Sequence, residues 1–325
     1  MSTVLIAVTA LLALVGLVVA GLVLFAAFIT RAVEKAVPPL GQFIDMEGAR
    51  IHYLDRGRGP TILLIHGLTG QMRNFTHSLV DLLTDEFRVI AIDRPGSGYS
   101  TRAPGASAGL TAQGGLIVKF MHAIGLERPL VVGHSLGGAI SLAIALDHPE
   151  CACGFALISS LTAPQERVPT PFRALVIQSS WRRKIVAWTI AIPVAIRRGQ
   201  ETLAIVFGPD KPPADFATKG GGLLGLRPKN FIGGSEDVIG AAVDLPKMVE
   251  RYPSLTVPIA ILFGTDDGIL DYESNGTMMQ KKVPGLTLEL VPGGHMLPVT
   301  APKETAEFIK AAAAKFSIKD RPQVA

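Results

Sequence analysis

The chain has 325 residues, enough to bury a large core as one big domain with an insert or as two domains. Its net charge of +4 includes no Lys/Arg run long enough for nucleic acid, so a nucleic-acid partner is not expected. Two cysteines, Cys151 and Cys153, are too few for a metal site or a disulfide framework and should pack as small apolar side chains.

Apolar residues make up 48% of the chain, and much of the excess lies in the first thirty positions. Residues 4–29 carry no charge, and their Leu, Val, Ala and Phe side chains run all round a helix, as lipid contact requires. At about 1.5 Å per residue such a helix runs about 39 Å, against roughly 30 Å of bilayer hydrocarbon. A cleaved signal peptide would want a basic start, and Met1-Ser2-Thr3 has none, so residues 1–31 read as an uncleaved single-pass anchor. Arg31 and Lys35 follow the span and place the remainder on the cytoplasmic side. Pro38-Pro39 ends the helix and opens a linker.

Residues 42–45 and 50–54 alternate as a hairpin around Glu47-Gly48. The short apolar run 61–65 predicts a central strand ending in His66-Gly67-Leu68. An amphipathic helix is expected over 75–83, a strand over 88–92, and a Pro/Gly turn in Asp93-Arg94-Pro95-Gly96-Ser97-Gly98-Tyr99-Ser100, where Asp93 and Arg94 make local polar contacts. A helix over 112–124 stops at Gly125.

The run 130–133 then leads into Gly133-His134-Ser135-Leu136-Gly137-Gly138, with a helical pattern over 139–146. This predicts a strand turning sharply into a helix, with Ser135 at the apex in a strained backbone. Glycines suit the points where strand and helix nearly touch, and the Leu136 N–H would face an anion in front of Ser135.

A strand over 155–158 is followed by Ser159-Ser160-Leu161, with no acid. Residues 162–253 break the strand–helix alternation. They hold both tryptophans, the clusters Arg182-Arg183-Lys184 and Arg197-Arg198, and Gly220-Gly221-Gly222. The clusters suit an anionic membrane surface or solvated helix faces. A strand over 259–263 ends in Gly264-Thr265-Asp266-Asp267. The last strand, 286–291, leads to Pro292-Gly293-Gly294-His295-Met296, a closing helix spans 303–316, and residues 317–325 read as a frayed tail.

His66-Gly67, the Asp93–Ser100 turn and the Gly133–Gly137 pattern, in this order, resemble the α/β-hydrolase superfamily over roughly residues 41–314. Within it the chain is similar to the esterase, lipase and C–C hydrolase group. The resemblance implies an α/β fold with a mostly parallel sheet. Core parts fall at 32–161 and 254–318, separated by a helical lid over 162–253, with a tail at 319–325. It makes Ser135 the nucleophile, His295 the base and Asp267, three residues past Gly264, the acid, with Asp266 as the competing neighbour. It makes the N–H groups of Leu68 and Leu136 the oxyanion hole. Of the seven histidines only His295 follows the last strand on a glycine-rich loop. Ser135 also argues against relatives that use Asp at this turn, the epoxide hydrolases and haloalkane dehalogenases.

The expected activity is hydrolysis of a small lipophilic carboxylic ester, monoacylglycerol-like, at a lipid bilayer, without metal or organic cofactor. A C–C bond hydrolase and a non-catalytic ligand-binding relative are the alternatives.

Overall fold

The computed structural model of the chain describes residues 3–316. The expected tail, from Ser317 on, lies outside them.

The chain opens with helix α1, Thr3–Ala36. Most of its apolar side chains stand exposed, while Ala26 and Val33, with Val37 just past its end, are buried. Strands β1 (Gln42–Met46) and β2 (Ala49–Arg56) form the expected antiparallel hairpin. β3 (Thr61–Ile65) and β4 (Arg88–Ile92) flank the short helix α2 (Arg73–Thr76), and the two-residue β5 (Thr101–Arg102) pairs with β2. Then come α3 (Leu110–Ala123), β6 (Leu130–His134), α4 (Leu136–Asp147) and β7 (Gly154–Ile158). The middle segment supplies α5 (Ser180–Trp188), α6 (Ala191–Phe207) and α7 (Pro228–Arg251). β8 (Ile259–Gly264), α8 (Met278–Lys282), β9 (Thr287–Val291), α9 (Leu297–Thr300) and α10 (Pro302–Lys315) close the chain.

The strands form one sheet in the order β1-β2-β4-β3-β6-β7-β8-β9. β1 and β2 are antiparallel additions, and every pair from β4 to β9 is parallel. β3, β6, β7 and β8 are almost wholly buried, as continuous apolar runs in a parallel sheet must be when helices cover both faces. One face packs on α3, α4 and α7 through Ile117, Phe120, Ile140, Ile144, Leu245 and Met248. The other packs on α2 and α10 through Phe75, Leu79, Phe308 and Ile309. Burial raises the Cys151 thiol to about 11, which keeps it a packing group.

Two expectations need correction. The helix over 75–83 is broken. Its Phe75, Leu79, Val80 and Leu83 do face the core, but backbone bonding changes from four-residue spacing at Leu79 to three-residue spacing at Leu82 and Leu83. His77 and Ser78 bond each other at the break, and His77 also reaches Asp215.

The lid boundary at residue 253 is also misplaced. Ala241, Leu245 and Met248 of α7 belong to the same apolar cluster as the sheet, so the later turns of α7 are core. Were the middle segment to cover the site, the covering segment would run from the end of β7 into the first turns of α7.

Candidate active site

Ser135 sits between β6 and α4 with φ 56° and ψ −121°, in the left-handed region that a serine adopts only when its surroundings hold it there. Its N–H donates to the Ile158 carbonyl at 3.0 Å, and its carbonyl accepts from Gly138 and Leu161 N–H. The turn closes only because glycine lies beside it. A Cβ on Gly137 would stand 2.1 Å from the Ile65 carbonyl oxygen.

His295 lies beyond β9, and Asp267 beyond β8. The Ser135 hydroxyl is 3.0 Å from His295 Nε2, and His295 Nδ1 is 2.7 Å from Asp267 Oδ2. Asp267 Oδ1 accepts from the N–H groups of Ile269 and Leu270, both at 2.9 Å. With that carboxylate side chain fully buried and accepting, Nδ1 carries the imidazole proton, and Nε2 is left to accept from the serine. Asp266, the competing neighbour, is exposed and accepts instead from Thr265 Oγ1 and the Gly293 N–H. The choice between the two acids is thereby made by the way the chain leaves β8.

The loop His66-Gly67-Leu68 lies against the serine: a Cβ on Gly67 would come 2.8 Å from Ser135 Cβ. Among the described residues, neither the Leu68 nor the Leu136 N–H is taken by a protein acceptor. Leu136 begins α4, so its N–H is one that a helix leaves unsatisfied.

Arg94 is fully buried and holds the Leu68 loop from behind. Its Nε donates to the His66 carbonyl at 2.9 Å, one terminal nitrogen donates to the Gly67 carbonyl at 3.0 Å and to Asp237 at 2.9 Å, and the other to Gln113 at 2.8 Å. His66 Nδ1–H donates to the same Gly67 carbonyl at 2.8 Å, and its Nε2 accepts from the Arg94 N–H at 3.0 Å. A trans peptide is planar, so fixing the Gly67 carbonyl fixes the Leu68 N–H in the opposite direction. Burial, reinforced by the Arg94 charge, lowers the His66 pKa to about 3 and keeps the ring neutral, as these two bonds require.

His134 plays a parallel part for the base. Its Nε2–H donates to the His295 carbonyl at 2.9 Å, and burial followed by the nearby His295 lowers its pKa to about 3. Of the contacts Asp93 makes, only that with the Tyr99 N–H lies within the turn as expected; its other partners, His52 Nδ1 and the Met72 N–H, come from distant parts of the chain. Burial raises its pKa, but these bonds outweigh burial and leave it lowered. Arg94 departs from expectation. Its acid, Asp237, lies on α7, so no local pattern around the turn announces the pair. The only available signal was an arginine in a Pro/Gly turn directly after a buried strand.

Chain residues 60–302 match the family model of the alpha/beta hydrolase fold. The chain belongs to that family, and it is a hydrolase. Among its relatives is a Caulobacter protein assigned as carbamate hydrolase RutD, 28% identical over 75% of this chain and 86% of its own length. The dihydrolipoyllysine-residue acetyltransferase component of the acetoin cleaving system of Cupriavidus necator is 39% identical over 36% of this chain, a match spanning only 31% of that relative. Among solved structures, a bacterial membrane phospholipase A superposes with a TM-score of 0.63 at 23% identity, covering 98% of this chain and 99% of its own. At that identity the likeness speaks for the fold.

Proposed function

We propose that this hydrolase cleaves a lipophilic carboxylic ester, of the monoacylglycerol type, through an acyl-enzyme on Ser135, and that α1 anchors it in a membrane. The observation that carries the reading is the continuous Ser135–His295–Asp267 hydrogen-bond chain, with the Leu68 and Leu136 N–H groups beside it without a protein acceptor among the described residues. A serine hydroxyl is a poor nucleophile at neutral pH, so His295 Nε2 removes its proton as Oγ attacks the ester carbonyl. The charge that builds on the carbonyl oxygen is held by the N–H groups of Leu68 and Leu136. Asp267 holds the tautomer and stabilises the imidazolium. His295 then protonates the leaving alcohol, and water, deprotonated by the same ring, releases the acid.

An apolar substrate suits the surroundings. Leu161, Phe172, Ile205 and Val206 of the covering segment are partly buried against the cluster that includes Leu136 and Ile269, with Leu68 beside them. Ser135 and His295 are themselves buried, so substrate enters under that segment. The anchor reading rests on α1, the one described helix long and apolar enough to cross a membrane. Arg31 and Lys35 near its end, beside Glu34, support a body on the cytoplasmic side. The test is turnover of short p-nitrophenyl esters, which the purified protein should show and Ser135→Ala should abolish. A folded Ser135→Ala protein as active as the parent would remove the mechanism.

A further inference from the structure

Helix α5 is built inside out for a helix in water. Arg183 and Ala187 face the body, while Trp181, Ile185 and Trp188, at the i, i+4, i+7 spacing of one stripe, are 61%, 55% and 39% exposed. Arg183 locks this orientation: Nε bonds Ser235 at 2.9 Å, and its terminal nitrogens bond Glu236 at 3.2 Å and the Ile177 carbonyl at 2.8 Å. Ile190, Val194 and Ile196 extend the exposed apolar surface onto the start of α6. Arg182, Lys184 and Arg197 stand exposed around it, and the Arg182 guanidinium lies 5.3 Å over the Trp181 ring.

The position of this stripe identifies what covers it. The body grips α1 firmly. Glu34 pairs with the buried Arg227 at 3.1 Å, Tyr99 Oη donates to the Val37 carbonyl, Arg73 donates to the Pro38 carbonyl, and Ile29, Val33 and Val37 pack on Leu223, Leu224 and Leu226. The grip extends upstream into the apolar span, where Ala26 is fully buried and Leu22 and Val23 are partly covered. α5 also packs on α1. From Leu22 to Ile29 is about 10 Å along a helix. The body therefore reaches beside the apolar span rather than hanging below it, and α5 is carried to the level of the bilayer surface. Exposed tryptophan with arginine and lysine at the rim is the chemistry of that level: indole at the headgroups, cations on anionic lipid.

We infer that the α5 stripe Trp181–Ile185–Trp188, with the start of α6, is a second membrane-binding surface, seated in the headgroup region of an anionic bilayer beside the anchor. It rests on the anchor reading of α1 and deepens it. Two fixed attachments, rather than one, set the tilt of the body. They place the covering segment, and with it the way to Ser135, directly against the lipid that would supply the ester.

Both of the chain's tryptophans lie on this stripe, so its intrinsic fluorescence reports on the surface without a label. Full-length protein is reconstituted into vesicles of phosphatidylcholine with a minor share of phosphatidylglycerol, with acyl chains unbrominated, brominated near the headgroup, or brominated near the bilayer centre. Expected is a loss of roughly half or more of the emission with bromine near the headgroup and a smaller loss with bromine at the centre, as for rings at the interface. Trp181→Phe and Trp188→Phe should each retain quenching of the remaining ring. The exposed triple variant Arg182→Glu, Lys184→Glu, Arg197→Glu should weaken quenching while leaving turnover of soluble esters unchanged. Protein that resists carbonate extraction but whose emission no brominated lipid quenches would overturn the second surface and leave the anchor standing. If cross-linking then caught the stripe against a second copy, a dimer would be its occupant instead. Release by carbonate would overturn both readings. Neither result bears on Ser135.

Discussion

Gly67→Ala tests the architecture of the site with a single methyl group. The added Cβ would lie 2.8 Å from Ser135 Cβ and 3.3 Å from both Ser135 Oγ and the His134 carbonyl oxygen. Carbon atoms pack at about 3.5–4.0 Å, so loop and serine must part by roughly 0.7–1.2 Å. The backbone at Gly67 is not left-handed, so alanine brings no dihedral strain, and the effect is steric alone. Neither side can give easily, because Arg94 and His66 hold the loop from behind, and the Ile158 carbonyl with Gly138 and Leu161 holds the serine. A misplacement of about 1 Å at a reacting centre costs on the order of 100-fold in rate. Overpacking costs about 1–3 kcal/mol of stability. Steady-state kinetics on a p-nitrophenyl ester should therefore show kcat down about 100-fold with KM little changed, in a protein that still melts cooperatively. A folded variant with kcat within about threefold of the parent would refute the placement of this loop over the nucleophile.

Asp267→Asn should keep the fold but present the wrong imidazole tautomer, lowering kcat by about 10,000-fold, while Asp266→Asn should leave kcat nearly intact; the reverse ranking would reassign the acid. Acid should destabilise the protein from neutrality downward. His66 and His134 stay neutral when folded until about pH 3, whereas unfolded histidine takes up its proton near 6.5, so their contribution is full above 6.5 and lost as pH falls toward 3. Together they set a slope of up to about 3 kcal/mol per pH unit in that window, readable by guanidinium melts at pH 7 and pH 5, and a flat profile would contradict it. Gly115→Ala in α3 meets nothing within 4 Å, so helix propensity alone should stabilise by about 1 kcal/mol and raise Tm by a few degrees in calorimetry.

The parts of this molecule that could be read from the sequence are those fixed by neighbours in the chain. Gly133-His134-Ser135-Leu136-Gly137 announces its turn because the tight geometry needs glycine within two residues of the apex. β3, β6, β7 and β8 announce themselves because a strand buried on both faces must be apolar throughout. The choice of Asp267 over Asp266 came from the resemblance alone, an acid three residues past Gly264; no local pattern carries it, since it follows from which of two adjacent N–H groups the chain spends at the end of β8: the Asp266 N–H bonds the Gly293 carbonyl, and the Asp267 N–H bonds the Gly264 carbonyl at 3.4 Å. Likewise nothing local tells that α7 begins over the site and ends in the core, because its apolar pattern continues through both environments. Residues 75–83 have helical periodicity in their buried side chains, yet the backbone changes from four- to three-residue bonding after Leu79, and nothing in the local pattern tells where.

The Arg94–Asp237 pair shows how one long-range contact serves both fold and site, and separates the two experimentally. It ties the turn after β4 to α7, with side chains 0% and 1% exposed. Removing one partner leaves a buried charge, so Asp237→Leu or Arg94→Met alone should cost about 3–5 kcal/mol. Replacing both with apolar groups removes both buried charges, and although buried Gln113 loses its bonds to each and Arg102 keeps only Glu236 among its acids, the double variant Arg94→Met, Asp237→Leu should recover part of that loss. Activity should not follow. Without the guanidinium the His66 carbonyl loses its Arg94 donor and the Gly67 carbonyl keeps only the His66 Nδ1–H and the Gly70 N–H, so the Gly67–Leu68 peptide is held less tightly and the Leu68 N–H is aimed less well at the developing oxyanion. Losing one such donor is worth about 100- to 1000-fold in kcat. Guanidinium melts and ester kinetics on the two single variants and the double should thus diverge: stability partly regained, kcat still low, KM near that of the parent. A double variant that regained both would make Arg94 a purely structural residue, and would mean that His66 and the Gly70 N–H are enough to orient the peptide.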